Sequence, residues 1–585
     1  MFEKGQLIEF EITDISDRGQ GIGKADGITV FVNGGVIGDV VQAEITKVKK
    51  RFCFGKVVKV KEPSKHRIEP ICDYAGDCGG CVFAQTDYEA QLTVKEKHVY
   101  DSLTRIGGLT NPVVEKIEKM PEGFEFGYRN KATMPISTGG NIKRKGGIIK
   151  NLDSPKIGFY RSRSHEVVDC TDCALQSPTA MAAAEATRQF MDEDNITAWD
   201  EKWQQGLMRH MIVRTAFATE EVMVTYVING KGIPNVEKLI GMLDEAIYEV
   251  GYSLESVNIS TKKDKNVAGE IYGQEIKNIA GKPVITDYIG DVKFEVSPRS
   301  FYQVNPYMTE KLYDTVREYA GLTGGENILD LYCGVGSIGL YCADKAGFIL
   351  GVESVKEAVI DANRNAVING IVNARYICGK AEEELSKLLA GEGDEQLVKA
   401  AKNADVVILD PPRAGCDERL LDAVAELAPE RIVYVSCDPA TLARDIKLLT
   451  EKGFKFVKAK PHDMFGWTGH VETVVLLSHK KPDSTLSVKV EFGEGEGKVP
   501  LDNIAKRAEA YKPKERVTYK MIKEYIEAKY GFKVHTAYIA EVKRSLGLPM
   551  YDAPNAVEEL KQPRKHPTAE KVEAIKDALK HYEEM

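Results

Sequence analysis

Residues 433–445 read VYVSCDPATLARD and decide the fold of the surrounding chain. The β-forming residues at the start of this stretch stop at Pro439, which cannot donate to a strand ladder, so the chain turns there. The residues after Pro439 have the apolar periodicity of a helix. Cys437 is therefore predicted on a strand-to-helix turn, at the edge where open α/β sheets bind their ligands.

The position of Cys437 suggests two interpretations. A partly exposed thiol near a helix N-terminus is expected to have a lowered pKa, which favours the nucleophilic thiolate. The alternative is a buried and inert cysteine, which is common in cytosolic proteins. The turn by itself does not separate the two, so the rest of the chain must decide.

Composition restricts the class of protein. The chain of 585 residues is too long for one hydrophobic core, so several domains are expected. No apolar run is long enough for a membrane span or begins like a secretion signal. The odd number of cysteines, 11, favours a reducing cytosol with metal-binding or catalytic thiols. With a net charge of -9, any nucleic-acid binding must come from local basic patches.

Residues 1–62 are predicted to form a small β-barrel. Four or five β-rich segments alternate with turns containing glycine, asparagine and aspartate, which fits an oligonucleotide-binding-type barrel. Within it, Lys47, Lys49, Lys50 and Arg51 form a local basic patch. This stretch resembles a TRAM domain, an RNA-binding barrel.

A group of cysteines follows the barrel. Cys72, Cys78 and Cys81 lie within ten residues of one another among glycines, which let the backbone wrap closely around a bound centre. Thiolate sites usually have four ligands, and either Cys170 or Cys173 could supply the fourth. The spacing does not distinguish zinc from an iron–sulfur cluster.

Residues 63–295 alternate helical and strand patterns, and apart from the cysteines no motif among them indicates a particular reaction. Two basic clusters, at residues 128–131 and 143–145, either contact RNA or are solvated surface. The region is predicted as a central α+β domain that contains the cysteine site.

From residue 296 the pattern becomes a regular alternation of strands and helices. Residues 328–337 read ILDLYCGVGS, a strand followed by a Gly-x-Gly turn, and the next strand ends at Glu353, where a carboxylate can bind ribose hydroxyls. The glycine spacing alone also fits a dinucleotide site. Asp330 would repel a pyrophosphate but not a sulfonium, so S-adenosylmethionine is favoured.

Two further strand ends carry polar residues. Asp410-Pro-Pro resembles the motif of amino-methyltransferases, but Arg413 stands where those enzymes need an aromatic residue, so an amine target is disfavoured. Glu472 begins the last strand among apolar residues, which predicts desolvation and a raised pKa suited to acid–base chemistry. A solvated carboxylate at a strand end is the alternative.

Taken in order, five motifs resemble the RNA (uracil-5-)-methyltransferase family: FYQVNP at 301–306, then DLYCGVGSIGL, DPPR, SCDPATLARD and GHVETVVLL. The barrel and the cysteines resemble the branch that modifies 23S ribosomal RNA and holds a [4Fe-4S] cluster. The resemblance covers residues 1 to about 482. It implies methylation of uridine at carbon 5, which requires only one cysteine and one carboxylate.

The resemblance also implies the roles of individual residues. Cys437 is the expected nucleophile, Glu472 the expected general base, and Phe301 a candidate to stack on RNA bases. The expected S-adenosylmethionine ligands are Gln303, Tyr332, Glu353 and Asp410. The expected cluster ligands are Cys72, Cys78, Cys81 and Cys173. Cys173 is preferred to Cys170 because the Ala-Leu-Gln after it resembles the family's ligand segment.

The predicted protein is a multidomain α/β chain. Its expected domains are a TRAM barrel (1–62), the central domain (63–295), a Rossmann-like methyltransferase domain (296–482) and a helical extension (483–585). Basic residues in the extension suggest an accessory RNA-contacting module, with a plain packing module as the alternative. A cytoplasmic monomer is expected, with no membrane contact and no obligate protein partner. The alternative functions are a tRNA uridine methyltransferase and a non-catalytic RNA-binding or ribosome-assembly factor.

Overall fold

The computed structural model describes residues 2–16, 19–138, 142–145, 148–151, 154–262, 270–479, 519–534, 536–546 and 568–581. The chain forms two compact units, Met1–Asp483 and Ser484–Met585. No helix among these described segments is long and apolar enough to cross a membrane. Residues 493–497 read GEGEG, which predicts an exposed turn, and they lie outside the described residues.

The first unit begins with a closed five-stranded β-barrel, which confirms the predicted N-terminal barrel. Its inward residues, such as Ile8, Phe10 and Ile12 on the first strand, alternate with exposed ones, as the two-residue period of a strand requires. The strands are β1 (Leu7–Ile15), β2 (Gly21–Ala25), β3 (Ile28–Asn33), β4 (Val40–Val48) and β5 (Phe52–Glu62).

The central part of the unit contains a seven-stranded sheet in the order β10-β9-β6-β11-β12-β13-β14. Its strands are β6 (Lys131–Ser137), β9 (Lys156–Tyr160), β10 (Val167–Asp169), β11 (Met208–Ala216), β12 (Glu221–Ile228), β13 (Ser253–Thr261) and β14 (Ile276–Gly281). Strands β7 (Ile142–Lys145) and β8 (Ile148–Asn151) pair separately. The helices are α1 (Tyr88–Arg105), α2 (Pro178–Glu193) and α3 (Val236–Glu249), and the last two pack on one face of the sheet.

A hairpin, β15 (Ile285–Ile289) and β16 (Val292–Val296), leads to a second seven-stranded sheet. The strand order is β19-β18-β17-β20-β21-β23-β22. The strands are β17 (Asn327–Leu331), β18 (Phe348–Glu353), β19 (Ala374–Cys378), β20 (Val406–Leu409), β21 (Arg431–Ser436), β22 (Lys455–His462) and β23 (Glu472–Ser478).

Helices cover both faces of this second sheet, as its near-continuous apolar strands require. They are α4 (Pro306–Ala320), α5 (Ser337–Cys342), α6 (Lys356–Ile368), α7 (Ala381–Ala390), α8 (Glu395–Lys402), α9 (Glu418–Leu427) and α10 (Pro439–Glu451), with a 3₁₀ turn at Ala343–Lys345. Strands β17 to β21 run parallel, so their carboxyl ends meet at one edge. Strand β23 runs antiparallel to β21, which brings its amino end to the same edge.

The second unit contains three described helices, α11 (Tyr519–Tyr530), α12 (Thr536–Ser545) and α13 (Ala569–His581). They share a small core that includes Ile522, Ile539 and Ile575. Lys543 is one of the basic residues that suggested an RNA-contacting module in this extension, but it is 8% exposed and lies in the interior. Lys533 is exposed.

Candidate active site

Cys437 is half-buried on the turn between β21 and α10, at the carboxyl edge of the second sheet. Asp438 caps the helix by accepting hydrogen bonds from the N–H groups of Ala440 at 3.0 Å and Thr441 at 2.9 Å. Pro439 occupies the first turn of the helix, where no donor is needed. The local sequence therefore builds the turn that exposes the thiol to the sheet edge.

The prediction of a lowered Cys437 pKa was wrong. Burial, followed by the nearby charge of Glu472, raises the pKa of the thiol to about 11. Arg413 opposes both effects through its charge and a hydrogen bond to the thiol. At the helix N-terminus, the Asp438 carboxylate already accepts the N–H groups of Ala440 and Thr441. Arg413 is therefore the main group that stabilises the thiolate.

Glu472 is 4% exposed at the start of β23. Ser436 and Thr473 are cross-strand partners, so the next residues outward, Cys437 and Glu472, lie at the adjacent ends of two antiparallel strands. Burial, followed by repulsion from Asp410, raises the pKa of Glu472 well above its usual value. A carboxylate with a raised pKa is a stronger base than a solvated one. The buried interpretation of Glu472 is the correct one.

Sequence reasoning missed two members of this group, Arg413 and His470. Arg413 follows β20 and reaches Cys437, and its Nη2 lies 3.5 Å from Nε2 of His470. Burial and the charge of Arg413 lower the pKa of His470 to about 4, so the imidazole is neutral. A usable signal was present for Arg413, since it directly follows the Asp410-Pro-Pro strand end.

A cavity of about 460 Å³ opens beside the carboxyl ends of β17 and β18. Tyr332 lines it and adopts a left-handed backbone with φ of 64°. Glu353 accepts hydrogen bonds from the N–H groups of Gly334 at 3.2 Å and Val355 at 2.8 Å. Besides Tyr332, the cavity is lined by Val352, Ser354, Lys380, Ala381, Glu382, Ala414, Gly415, Cys416 and Asp417. This cavity has the position that nucleoside ligands occupy in open α/β sheets.

Of the four predicted ligands of S-adenosylmethionine, Tyr332 lines that cavity, whereas Glu353, Gln303 and Asp410 do not. Gln303 is buried, and its carbonyl accepts a hydrogen bond from the amide of Asn130 at 2.8 Å. Burial raises the pKa values of Asp330 and Asp410 to about 7, and Asp330 adds repulsion at Asp410. Asp330 Oδ1 has no donor among the described residues. Two buried carboxyl groups at this edge fit a cationic ligand better than a pyrophosphate.

The predicted cysteine site is brought together by the fold. Cys72, Cys78, Cys81, Cys170 and Cys173 line one small cavity. Burial raises the pKa of Cys81 to about 12, whereas a hydrogen bond from the Cys170 thiol lowers the pKa of Cys173 to about 6. Among the described residues, no group of three or more Cys, His, Asp or Glu side chains is arranged to hold a single metal ion.

The loop of residues 463–470, which leads into Glu472, is held by α1. Lys95 Nζ and Asp463 Oδ1 form a fully buried ion pair at 2.5 Å. The hydroxyl of Tyr88 donates to the other Asp463 oxygen at 2.7 Å. Breaking a buried pair of this kind costs about 3–5 kcal/mol, so the loop has one strongly preferred conformation.

The same loop contacts the cysteine segment directly. The N–H of Phe83, two residues after Cys81, donates to the carbonyl of Trp467 at 3.1 Å. The N–H of Trp467 donates to Gln91 at 3.0 Å. The sequence predicted a cysteine site far along the chain from Cys437, but the fold connects that site to the loop before the predicted base.

Comparison with known proteins identifies two matching family models. A model described as tRNA (uracil-5-)-methyltransferase matches residues 202–480, and a TRAM domain model matches residues 2–58. A protein named as an uncharacterized RNA methyltransferase from Caldanaerobacter subterraneus is 43% identical, over 81% of this chain and 98% of its own length. A Clostridium tetani protein with the same description is 40% identical, over 82% of this chain and 97% of its own length.

The chain is also similar to a solved structure. That structure is the tRNA (uracil-54, C5)-methyltransferase of Pyrococcus abyssi in complex with S-adenosyl-L-homocysteine. It is 29% identical, covers 80% of this chain and 100% of its own, and superposes with a TM-score of 0.61.

Proposed function

The chain belongs to the S-adenosylmethionine-dependent RNA (uracil-5-)-methyltransferase family, and from this premise we propose that it methylates carbon 5 of uridine in 23S rRNA. Cys437 acts as the nucleophile and Glu472 as the general base. Tyr332, Glu353, Gln303 and Asp410 bind S-adenosylmethionine, which supplies the methyl group. The proposal depends most on one observation: the pairing of Ser436 with Thr473, which brings Cys437 and Glu472 to one point of the sheet edge.

The residues perform complementary tasks. The Cys437 thiolate adds to carbon 6 of the uracil, which moves electron density onto carbon 5 and makes that carbon nucleophilic. After carbon 5 has accepted the methyl group, Glu472 removes the carbon-5 proton. The electron pair of that C–H bond re-forms the 5,6 double bond, and the thiolate leaves. Arg413 favours the thiolate both before addition and on departure. The target base must leave its stack to reach Cys437.

The RNA class is the part of the proposal that needs a direct assay. The TRAM barrel and the cysteine site support 23S rRNA, whereas the similarity to the P. abyssi enzyme favours tRNA. Incubation with methyl-labelled S-adenosylmethionine and separate rRNA and tRNA should label carbon 5 of uridine in 23S rRNA. Label in tRNA alone would contradict the substrate assignment. Label in neither would favour a non-catalytic RNA-binding or assembly factor.

The cysteine site is proposed to hold a [4Fe-4S] cluster on Cys72, Cys78, Cys81 and Cys173. The convergence of these thiols in one cavity supports it, and the mechanism above requires no electron transfer, so the role is structural. When bound, such a cluster would tie the segment 72–83 to the chain around Cys173.

We expect Cys78→Ser to lower the soluble yield and to abolish visible absorbance in protein purified without oxygen. Cys170→Ser is the matched control, because it removes a neighbouring thiol that is not a proposed ligand, and it should keep its colour. Loss of colour in Cys170→Ser but not in Cys173→Ser would show that the fourth ligand is Cys170 and not Cys173. A colourless wild-type protein that contains zinc would refute the iron assignment.

A further inference from the structure

Two cations stand side by side on the central sheet. Lys131 of β6 and Arg214 of β11 are cross-strand partners. Their neighbours Ala132 and Val213 pack against α2 and α3, so the alternation along the strands turns Lys131 and Arg214 to the opposite face. Like charges directly opposite each other in a sheet are destabilising, so this pair is unusual.

Neither cation has a counter-ion in the described part of the chain. The Arg214 side chain is 3% exposed, and its Nη2 donates to the carbonyls of Pro298, at 3.2 Å, and of Ser300. Arg214 Nε has no acceptor within the described residues. The charge that acts on Lys131 is that of Arg214, and no described carboxylate offsets it. Repulsion from Arg214, together with burial, lowers the pKa of Lys131 to about 7. A buried positive charge without an anion is costly, and an anionic ligand would remove that cost.

The pair lies beside the segment that carries Phe301 and Gln303. Arg214 holds the backbone just before Phe301. Asn130 is next to Lys131, and its backbone N–H donates to the carbonyl of Val304 at 2.9 Å. The side-chain amide of Asn130 donates to the backbone carbonyl of Gln303 at 2.8 Å. Phe301 itself is 64% exposed, which is unusual for a phenylalanine.

We infer that Lys131, with Arg214 behind it, binds a backbone phosphate of the RNA next to the target uridine, while Phe301 stacks on an adjacent base. This inference rests on the proposed function. The Lys131 ammonium contacts the phosphate, since Arg214 is buried. Arg214 adds positive potential and keeps the Phe301 segment in position. An aromatic ring beside a phosphate contact is the combination that single-stranded nucleic acid requires.

The test measures binding of an RNA that the wild-type protein methylates, at several salt concentrations. Lys131→Met should weaken binding roughly tenfold near 0.1 M salt and reduce the slope of log K against log salt by about one, as expected for one lost phosphate contact. Lys131→Arg should retain the slope. Lys277→Met, which removes an exposed lysine from β14 of the same sheet, is the matched control and should leave both quantities unchanged.

S-adenosylhomocysteine binding is measured in parallel, because the methyl donor also carries a carboxylate and Gln303 is one of its proposed ligands. Loss of that binding with an unchanged salt slope would overturn the RNA assignment, and so would an equal effect of Lys277→Met. The variant should fold, since it removes an unpaired buried charge, and Lys131→Gln is the second neutral variant. If the proposed function fails, the wild-type protein labels no RNA. If only this inference fails, labelling persists and the slope does not change.

Discussion

Replacing Cys437 with alanine is expected to abolish methylation, with a loss on the order of 10⁴-fold or more, as when other covalent nucleophiles are removed. Without the thiolate, carbon 5 of the uracil is never activated, so neither adduct formation nor methyl transfer occurs. Transfer of labelled methyl groups to RNA measures the rate, and denaturing gel electrophoresis with labelled RNA detects the adduct. S-adenosylhomocysteine binding should persist, because the cavity beside β17 and β18 does not include Cys437.

The matched control is Cys53→Ala, which removes a buried thiol from the N-terminal barrel. It should retain methylation and adduct formation, because Cys53 lies in the core of the barrel and not at the sheet edge around Cys437. Methylation by Cys437→Ala at a rate near that of the wild type would assign the nucleophile to another residue.

Replacing Glu472 with glutamine is expected to have a different effect. The amide preserves the size of the side chain but cannot remove the carbon-5 proton. Addition and methyl transfer still occur, while elimination of the thiolate stalls. Turnover should fall by about 10²–10⁴-fold, the usual contribution of a general base. A methylated covalent protein–RNA adduct should accumulate and appear as a slow band on a denaturing gel.

The double variant Cys437→Ala/Glu472→Gln is the control for this adduct, and it should form none. Label from the methyl group within the slow band would identify the stalled species as the methylated adduct. If Glu472→Gln turns over at nearly the wild-type rate with no adduct, another residue or a water molecule is the base. Cys437 could still be the nucleophile in that case.

Local sequence predicted the elements that carry the site because each is encoded within a few residues. The turn at Cys437 follows from Pro439, and the barrel from its alternating apolar strands and turn residues. The strand β22 was not predicted, since its residues Lys455–His462 mix lysines with apolar residues and have no clear two-residue period. The segment forms a strand because it pairs with β23, and this pairing is a contact between separate elements.

The pKa of Cys437 illustrates what local sequence leaves open. A turn before a helix suggested a lowered value, but the value depends on burial and on Glu472 and Arg413, which other strands contribute. The phosphate site proposed at Lys131 and Arg214 likewise depends on contacts between different strands. The two residues are 83 positions apart in the chain, and the β6–β11 register makes them neighbours.

By itself, the sequence determined the barrel, the family, the cysteine motif and the residue types of the chemistry, because these depend on local periodicity, turn residues and short motifs. Only the tertiary structure decided that Glu472 lies beside Cys437, that five cysteines share one cavity, and that Phe83 touches the loop before Glu472. The physical reason is that distance, burial and charge environment arise from contacts between elements far apart in the chain. An antiparallel β23 brings its first residue to the edge where the parallel strands end, and no local pattern specifies that pairing.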